Sequence, residues 1–354
     1  MPEPVELMME VRPGARFDLI DVRKEASARD AGLQEFPRML YSSFHTTAGY
    51  LDQGLASRLG QPQQGIDLYD HLFRRMFPEG AGYRHDDLTR RTDLTESQRT
   101  VEPRNADAHL AFIAAGLSNC VNYVNRPNEP VYFVDLDGVS NDQPRRRSTS
   151  VMAFHDEEVV AREPFEIPVS SHPIDSLNLK DSRIGLYDEM RELIRRYGIE
   201  KGRVHLALAA TERHAGLTIN EYETLLMRHD LREVLKDPLR FVAEKGRSLL
   251  TDPWGIPNRT IDYATYDFVQ VCNRVFEAFR MSESMMENLF ARLVAVPARR
   301  FLRMKRSVSL LVTDRELRGQ GTIAEGPYQC PILVQWARAD GRKRSIDMTL
   351  TRLR

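Results

Sequence analysis

The chain of 354 residues is 42% hydrophobic and 29% charged, the composition of a folded globular protein and not of a disordered one. Its 50 Lys and Arg stand against 51 Asp and Glu, a net charge of −1 that excludes the broad basic surface of a dedicated nucleic-acid binder. Three widely spaced cysteines, Cys120, Cys272 and Cys330, write neither a disulfide framework nor a thiolate zinc site.

The opening MPEPVELMMEVRPGARF is acidic and interrupted by proline, so it lacks the basic start and apolar run of a signal peptide. No apolar stretch approaches bilayer-spanning length. A cytoplasmic protein without membrane partners is the expectation.

In chain order, FDLIDV, MLYSSFHTTAGYL and IDLYDHLFRRMFPEG read as strand, strand and helix. His45 falls at the end of the second strand, where the hydroxyls of Thr46 and Thr47 are at hand to fix an imidazole tautomer. His85 follows in the loop GYRHDD, beside Asp86 and Asp87. In NADAHLAFIAAG, Asn105 is the expected N-cap, Leu110, Ile113, Ala114 and Leu117 an apolar face, and Gly116 the end. His109 then lies in the first turn, where the helix dipole opposes protonation, and Asp107 is close enough to act as a base. Three neutral imidazoles can hold a divalent metal and leave a position open, so His45, His85 and His109 are candidate ligands and zinc the expected ion. Each histidine also has a plain structural reading as a hydrogen-bonded or solvated ring.

A second stretch repeats the order. SRIGLYDEMRELIRRYGI, VHLALAATERHAGLTINE and YETLLMRHDLREVLKDP are helix, strand and helix, with Val204, Leu206, Leu208 and Ala210 on one strand face. Aligning Ala48-Gly49 with Ala215-Gly216 puts Glu212 at the place of His45. The closing pairs VYFVDLDG with PRRRSTSVMAF, and ILVQWARADG with RKRSIDMTL, also match, and the second stretch is about 36 residues longer. That excess is expected as a helical insertion over 237–305, with Phe268, Val271, Cys272, Val275, Phe276 and Phe279 at helical spacing, a Ser284/Glu287 capping box, and Met281, Met285 and Met286 as core. The bridge HDEEVVAREPFEIPVSSHPIDSLN, rich in charge, Pro and Ser, reads as a linker with a boundary near Ser170. The expected domains are therefore 1–170 and 171–354.

HTTAG, PEGAGYRHD, NADAHL and the DG…RRR strand pair resemble, in order and spacing, the YjbQ family, also called secondary thiamine-phosphate synthase. LTINE and GPYQCPILVQW in the second half resemble that family's Asn-Glu and G-x-W-Q segments. The first half lacks the Asn-Glu, having Gln53 and Gly54 there, and the second lacks the three histidines. The resemblance implies an α+β fold of two β-sandwich domains with flanking helices, a family of trimers and hence a homo-oligomer, a histidine-lined metal or catalytic pocket, and thiamine-phosphate-synthase-like chemistry on a small phosphorylated molecule. On this view the site is composite: His45, His85 and His109 from one half with Asn220 and Glu221 from the other, Asp107 or Asp86 as base, and Arg146 or Arg147 on the phosphate. The alternatives are that Asn220-Glu221 caps its helix in a scaffold replacing a neighbouring subunit, that the arginines are a solvated edge, and that the whole chain is a non-catalytic binding or assembly module. No P-loop or dinucleotide fingerprint is present.

Overall fold

The computed structural model describes residues 2–59, 62–140, 143–236, 241 and 304–354. The helical insertion, Cys272, the capping box at Ser284 and the methionine cluster lie outside the described residues. The chain divides into two compact units: a strand unit of Met1–Leu55, Leu117–Tyr222 and Lys305–Arg354, and a helical unit of Ala56–Gly116 with Glu223–Met304.

In the strand unit, residues up to 154 supply β1 (Val5–Val11), β2 (Asp18–Asp21), β3 (Arg38–Ser43), β4 (Ala48–Gly49), β5 (Cys120–Val124), β6 (Tyr132–Asp135), the hairpin β7 (Val139–Ser140) and β8 (Gln143–Pro144), and β9 (Arg147–Phe154). The rest come from β10 (Glu157–Pro168), β11 (Asp175–Asn178), β12 (Gly202–Leu208), β13 (Ala215–Asn220), β14 (Ser307–Leu317), β15 (Gln320–Ala324), β16 (Cys330–Gln335) and β17 (Lys343–Leu353). The first half builds a sheet β1-β9-β3-β5 and a smaller sheet β2-β6-β4. The second builds β10-β17-β12-β14-β15 and β11-β16-β13. The orders repeat strand for strand, with β15 as an addition. A helix follows the second strand of each half, Val22–Arg29 and Leu186–Arg196. The fold is α+β.

Strand β12 shows most of the alternation read from its sequence: Val204, Leu206 and Leu208 are buried and Arg203, His205 and Ala207 half-buried, but Ala210 lies past the strand's end and is exposed. The inward residues join Met190, Leu193, Leu310 and Met348 in the second half's core. In the first half Met9, Met39, Tyr41, Tyr50, Phe133 and Val151 fill the equivalent space. Strand β3 is buried on both faces, because Leu40 points the other way and meets Met152, Phe154, Leu311 and Leu353 in a seam joining the two halves. Each such side chain contributes about 1.5–3 kcal/mol when fully buried.

The bridge read as a linker is instead largely strand β10, paired with β17 from Glu157 to Pro168. It lies at the edge of its sheet, the one place where charge and proline suit a strand. Its Glu157 takes hydrogen bonds from Arg38 at 2.6 Å, Asn122 at 2.9 Å and Arg203 at 2.8 Å, tying three strands of both halves together. Strand pairing thus changes hands between β9 and β10.

The helical unit includes helices Pro62–Met76, Glu96–Arg99, Ala106–Ala115 and Leu231–Lys236, the last entered through a π-helical turn, Leu226–Asp230. Every residue of Ala106–Ala115 is buried, so this helix is a core element and not the amphipathic one expected. Gly116 ends it at φ 67°, as the glycine suggested. No helix among the described residues is long and apolar enough to cross a membrane.

Candidate functional site

His45 sits in the loop between β3 and β4 of the strand unit. Three amide side chains hold the loop's carbonyls. Asn119 donates to His45 O. Gln329 donates to Ser43 O at 3.0 Å and His45 O at 2.8 Å. Asn220 donates to Thr46 O at 3.0 Å. Two of the three come from the second half, from the segments LTINE and GPYQC. The backbone N–H of Ser148 donates to Nε2 of His45 at 2.7 Å. That bond requires a bare Nε2, so the neutral ring carries its proton on Nδ1. Burial, with Arg147 and Arg145 nearby, lowers the pKa of His45 to about 3, so the ring is neutral.

Arg147 is buried, with Nε 2.6 Å from Asp135 Oδ2 and Nη2 donating to Asp135 Oδ1 at 2.8 Å, to Asp137 O at 2.5 Å and to Thr47 Oγ1 at 3.4 Å. Arg145 pairs with Asp137, which Arg16 also approaches at 3.6 Å. Arg146 is 75% exposed and 3.9 Å from Glu10.

His85 lies in the helical unit, 1% exposed. Its Nδ1 is 3.0 Å from Glu223 Oε2 and 3.2 Å from Arg91 Nη1, and its Nε2 is 3.4 Å from Asn105 Oδ1. Both carboxylate oxygens of Asp230 accept backbone N–H groups, from Arg84 and His85, at 3.0 Å. The rings of His85 and His109 meet edge to face with centroids 5.3 Å apart. Glu223 also accepts the N–H groups of Leu225 and Leu226 at 2.7 Å. Burial opposes its charge, yet the bonds from His85 and those two amides prevail and its pKa is lowered. Arg91 is fixed against Asp93, its Nη2 at 2.6 Å.

No family model matches the chain, and no curated protein matches it. Several solved structures are similar at low level. A YbjQ-like protein of unknown function from Sulfolobus solfataricus P2 is 14% identical, over 56% of this chain and 99% of that one, with a TM-score of 0.28. A hypothetical protein from Aeropyrum pernix K1 is 15% identical over 54% and 98%, at 0.27. An uncharacterized conserved protein of the yjbq/upf0047 family from Clostridium acetobutylicum is 11% identical over 53% and 98%, at 0.26. Scores this low decide nothing about this chain, whose own residues must.

Those residues sort as follows. His85 and His109 come together, whereas His45 belongs to the strand unit. Among the described residues no three His, Cys, Asp or Glu side chains are grouped so as to hold a metal ion. Ligation of His45 through Nδ1 would put a proton on Nε2, against the Ser148 N–H, and both ring nitrogens of His85 already face protein partners. The three-imidazole zinc arrangement therefore does not fit these bonds, and no chemistry is derived through it. Asp86, a candidate base, accepts the Ala106 N–H at 3.0 Å and so caps the helix, while Asn105 makes no capping bond with its side chain. Asp107 is buried in the first turn of the same helix. Arg147 donates to Asp135 and to Thr47 Oγ1, and Thr46 contributes its carbonyl to Asn220. The Glu221 N–H donates to Asn220 Oδ1 at 2.8 Å, and Glu223 is a carboxylate that meets His85 and caps the following helix. The sequence reading missed Glu223, and also Arg91 and Asp230. The signal for Glu223 was present, an acidic residue just ahead of the apolar run Leu225-Leu226.

Proposed function

We propose that the chain is a YjbQ-like enzyme of transferase or hydrolase type acting on a small phosphorylated molecule, with His85 and Glu223 as its acid–base pair. The observation carrying this reading is the buried bond between them, which joins the first half's GYRHDD loop to the second half's segment after LTINE. The repeated strand order and the hold of Asn220 and Gln329 on the His45 loop support a tandem duplication. The second half then takes the place of a neighbouring subunit. The phosphorylated substrate and a thiamine-phosphate-synthase-like reaction come from the motifs' resemblance alone.

Glu223 holds Nδ1–H of His85, which directs Nε2 to act as base. A substrate hydroxyl or water displacing Asn105 from Nε2 gives up its proton there as it attacks. The imidazolium so formed is stabilised by Glu223, and it returns the proton to the leaving group. Arg91, held by Asp93, keeps a positive charge beside the ring and makes that return easier. Asn105 and the edge of His109 orient the imidazole.

Turnover of phosphate esters by wild type, with kcat lowered at least about 100-fold by His85→Gln and Glu223→Gln while the fold persists, is the expected result. Unchanged kcat in either variant sinks the acid–base role. The full burial of His85 and His109 favours a second reading, a non-catalytic module in which the cluster staples loop to helix. Absence of turnover with both variants destabilised selects it. Stoichiometric zinc in the purified protein, lost in His109→Ala, would instead bring back a metal-dependent enzyme.

A further inference from the structure

Strand β15, the element of the second half that has no counterpart in the first, closes one edge of the sheet β10-β17-β12-β14-β15. Among the described residues its backbone pairs with β14 alone. An open strand edge presents a row of N–H and C=O groups to whatever lies beside it.

Beside it lies a cleft of about 310 Å³. One wall is the strand itself, with Gln320, Gly321, Thr322 and Ile323 all lining the space. Successive side chains of a strand alternate between its two faces, so a cleft reached by four residues in a row touches the backbone between them. At Gly321 it meets backbone alone. The opposite wall is one face of the helix Leu186–Arg196, formed by Tyr187, Arg191, Ile194 and Arg195. A groove between an open strand edge and a helix is the shape that takes an extended peptide as an added strand.

The charges on the walls select the kind of peptide. The helix carries Asp188, Glu189 and Glu192, yet the charged side chains it lends to the cleft are Arg191 and Arg195. Asp188 lies 3.4 Å from Arg191 and Glu192 3.0 Å from Arg195, both exposed partners three residues back on the same helix. Such pairs contribute little and give way readily to a better one. Of the two carboxylates lining the cleft, Glu325 is already engaged: it accepts from the Tyr187 hydroxyl at 2.7 Å and pairs with Lys180. Glu316 then faces two guanidinium groups, an imbalance that one carboxylate from outside corrects. A second copy of the chain adding its own β15 brings no such group, because the strand reads QGTIA.

We propose that the groove between β15 and the helix Leu186–Arg196 binds an extended acidic segment of a partner protein, which joins the sheet as a strand and sets an Asp or Glu side chain against Arg191 and Arg195. Backbone bonds to β15 supply the affinity, and the carboxylate fixes the register. Every residue of this groove belongs to the strand unit, and the site does not rest on the acid–base reading at His85, so a failure of either leaves the other in place.

A displayed library of random heptapeptides is selected on the full chain and, separately, on the variant Arg191→Glu with Arg195→Glu, whose two side chains are 59% and 61% exposed in wild type. Peptides enriched on wild type are expected to carry Asp or Glu. A synthetic copy of the most enriched one is expected to bind wild type in fluorescence anisotropy, and to lose affinity about tenfold or more both on the double variant and when its backbone nitrogens are methylated in turn. No enrichment on wild type overturns the site, as does binding unchanged by charge reversal or by methylation at every position. Acetate binding as tightly as the peptide would make the cleft a small-anion pocket and overturn the strand addition, and a wild-type dimer that the peptide does not dissociate would give the edge to a second copy. If the double variant fails to fold, the amide shifts of residues 320–324 on adding the peptide to wild type decide: movement there supports the site and its absence refutes it.

Discussion

Asn220 donates its side-chain amide to the carbonyl of Thr46, a residue 174 positions earlier. The bond places an Asn of the second half under the histidine loop of the first, and Asn220 itself is fully buried. Replacing it with Ala strips a carbonyl of its donor, which costs about 1–3 kcal/mol. Urea denaturation of Asn220→Ala is expected to show that loss, together with a changed chemical shift for the His45 ring.

Gly326 passes so close to the same loop that a Cβ built on it would lie 1.9 Å from Phe44 O. The obstacle is backbone and cannot swing aside. Gly326→Ala is expected to destabilise by about 1–3 kcal/mol or more, measured as a lowered melting temperature, whereas the exposed Gly80, with nothing near its Cβ position, offers no such collision.

The lowered pKa of His45, about 3, makes stability fall on acidification. Between pH 6.5 and 3 the unfolded ring binds a proton and the native ring does not, so the native state loses up to about 1.4 kcal/mol per pH unit through this group. His45→Gln is expected to flatten that slope in denaturation curves taken across the range, and an NMR titration of wild type is expected to show the ring still neutral at pH 4.

Glu223 works the same way from the acidic side. Its depressed pKa stabilises the native state above the ordinary glutamate value of 4.5, and that contribution disappears as pH falls through its native pKa. The stability gap between wild type and Glu223→Gln is therefore expected to be widest at neutral pH and to close in acid.

Asp70, in helix Pro62–Met76, is fully buried and neither carboxylate oxygen has a hydrogen-bond partner among the described residues. Burial pushes its pKa well above the usual range, so its charge opposes folding at neutral pH. Asp70→Asn is expected to raise the melting temperature at pH 7 and to have no such effect at pH 3, where the unfolded carboxyl is protonated too.

Local pattern sufficed for what depends on near neighbours. The alternation of Val204, Leu206 and Leu208, the helix ending at Gly116 and the matched order of elements around Ala48-Gly49 and Ala215-Gly216 were all legible in the sequence, because strand and helix periods act over a few residues. Partner choice was not. Asp86 and Asn105 compete for one helix end, Glu221 and Glu223 lie two residues apart, and an edge strand with Pro and charge looks like a linker until its neighbour is known. Only the tertiary structure decided that Glu223 takes His85, that Arg147 spends its donors on Asp135, and that Ser148 claims Nε2 of His45. Those bonds join residues up to 138 positions apart, and burial makes each of them costly to leave unmade.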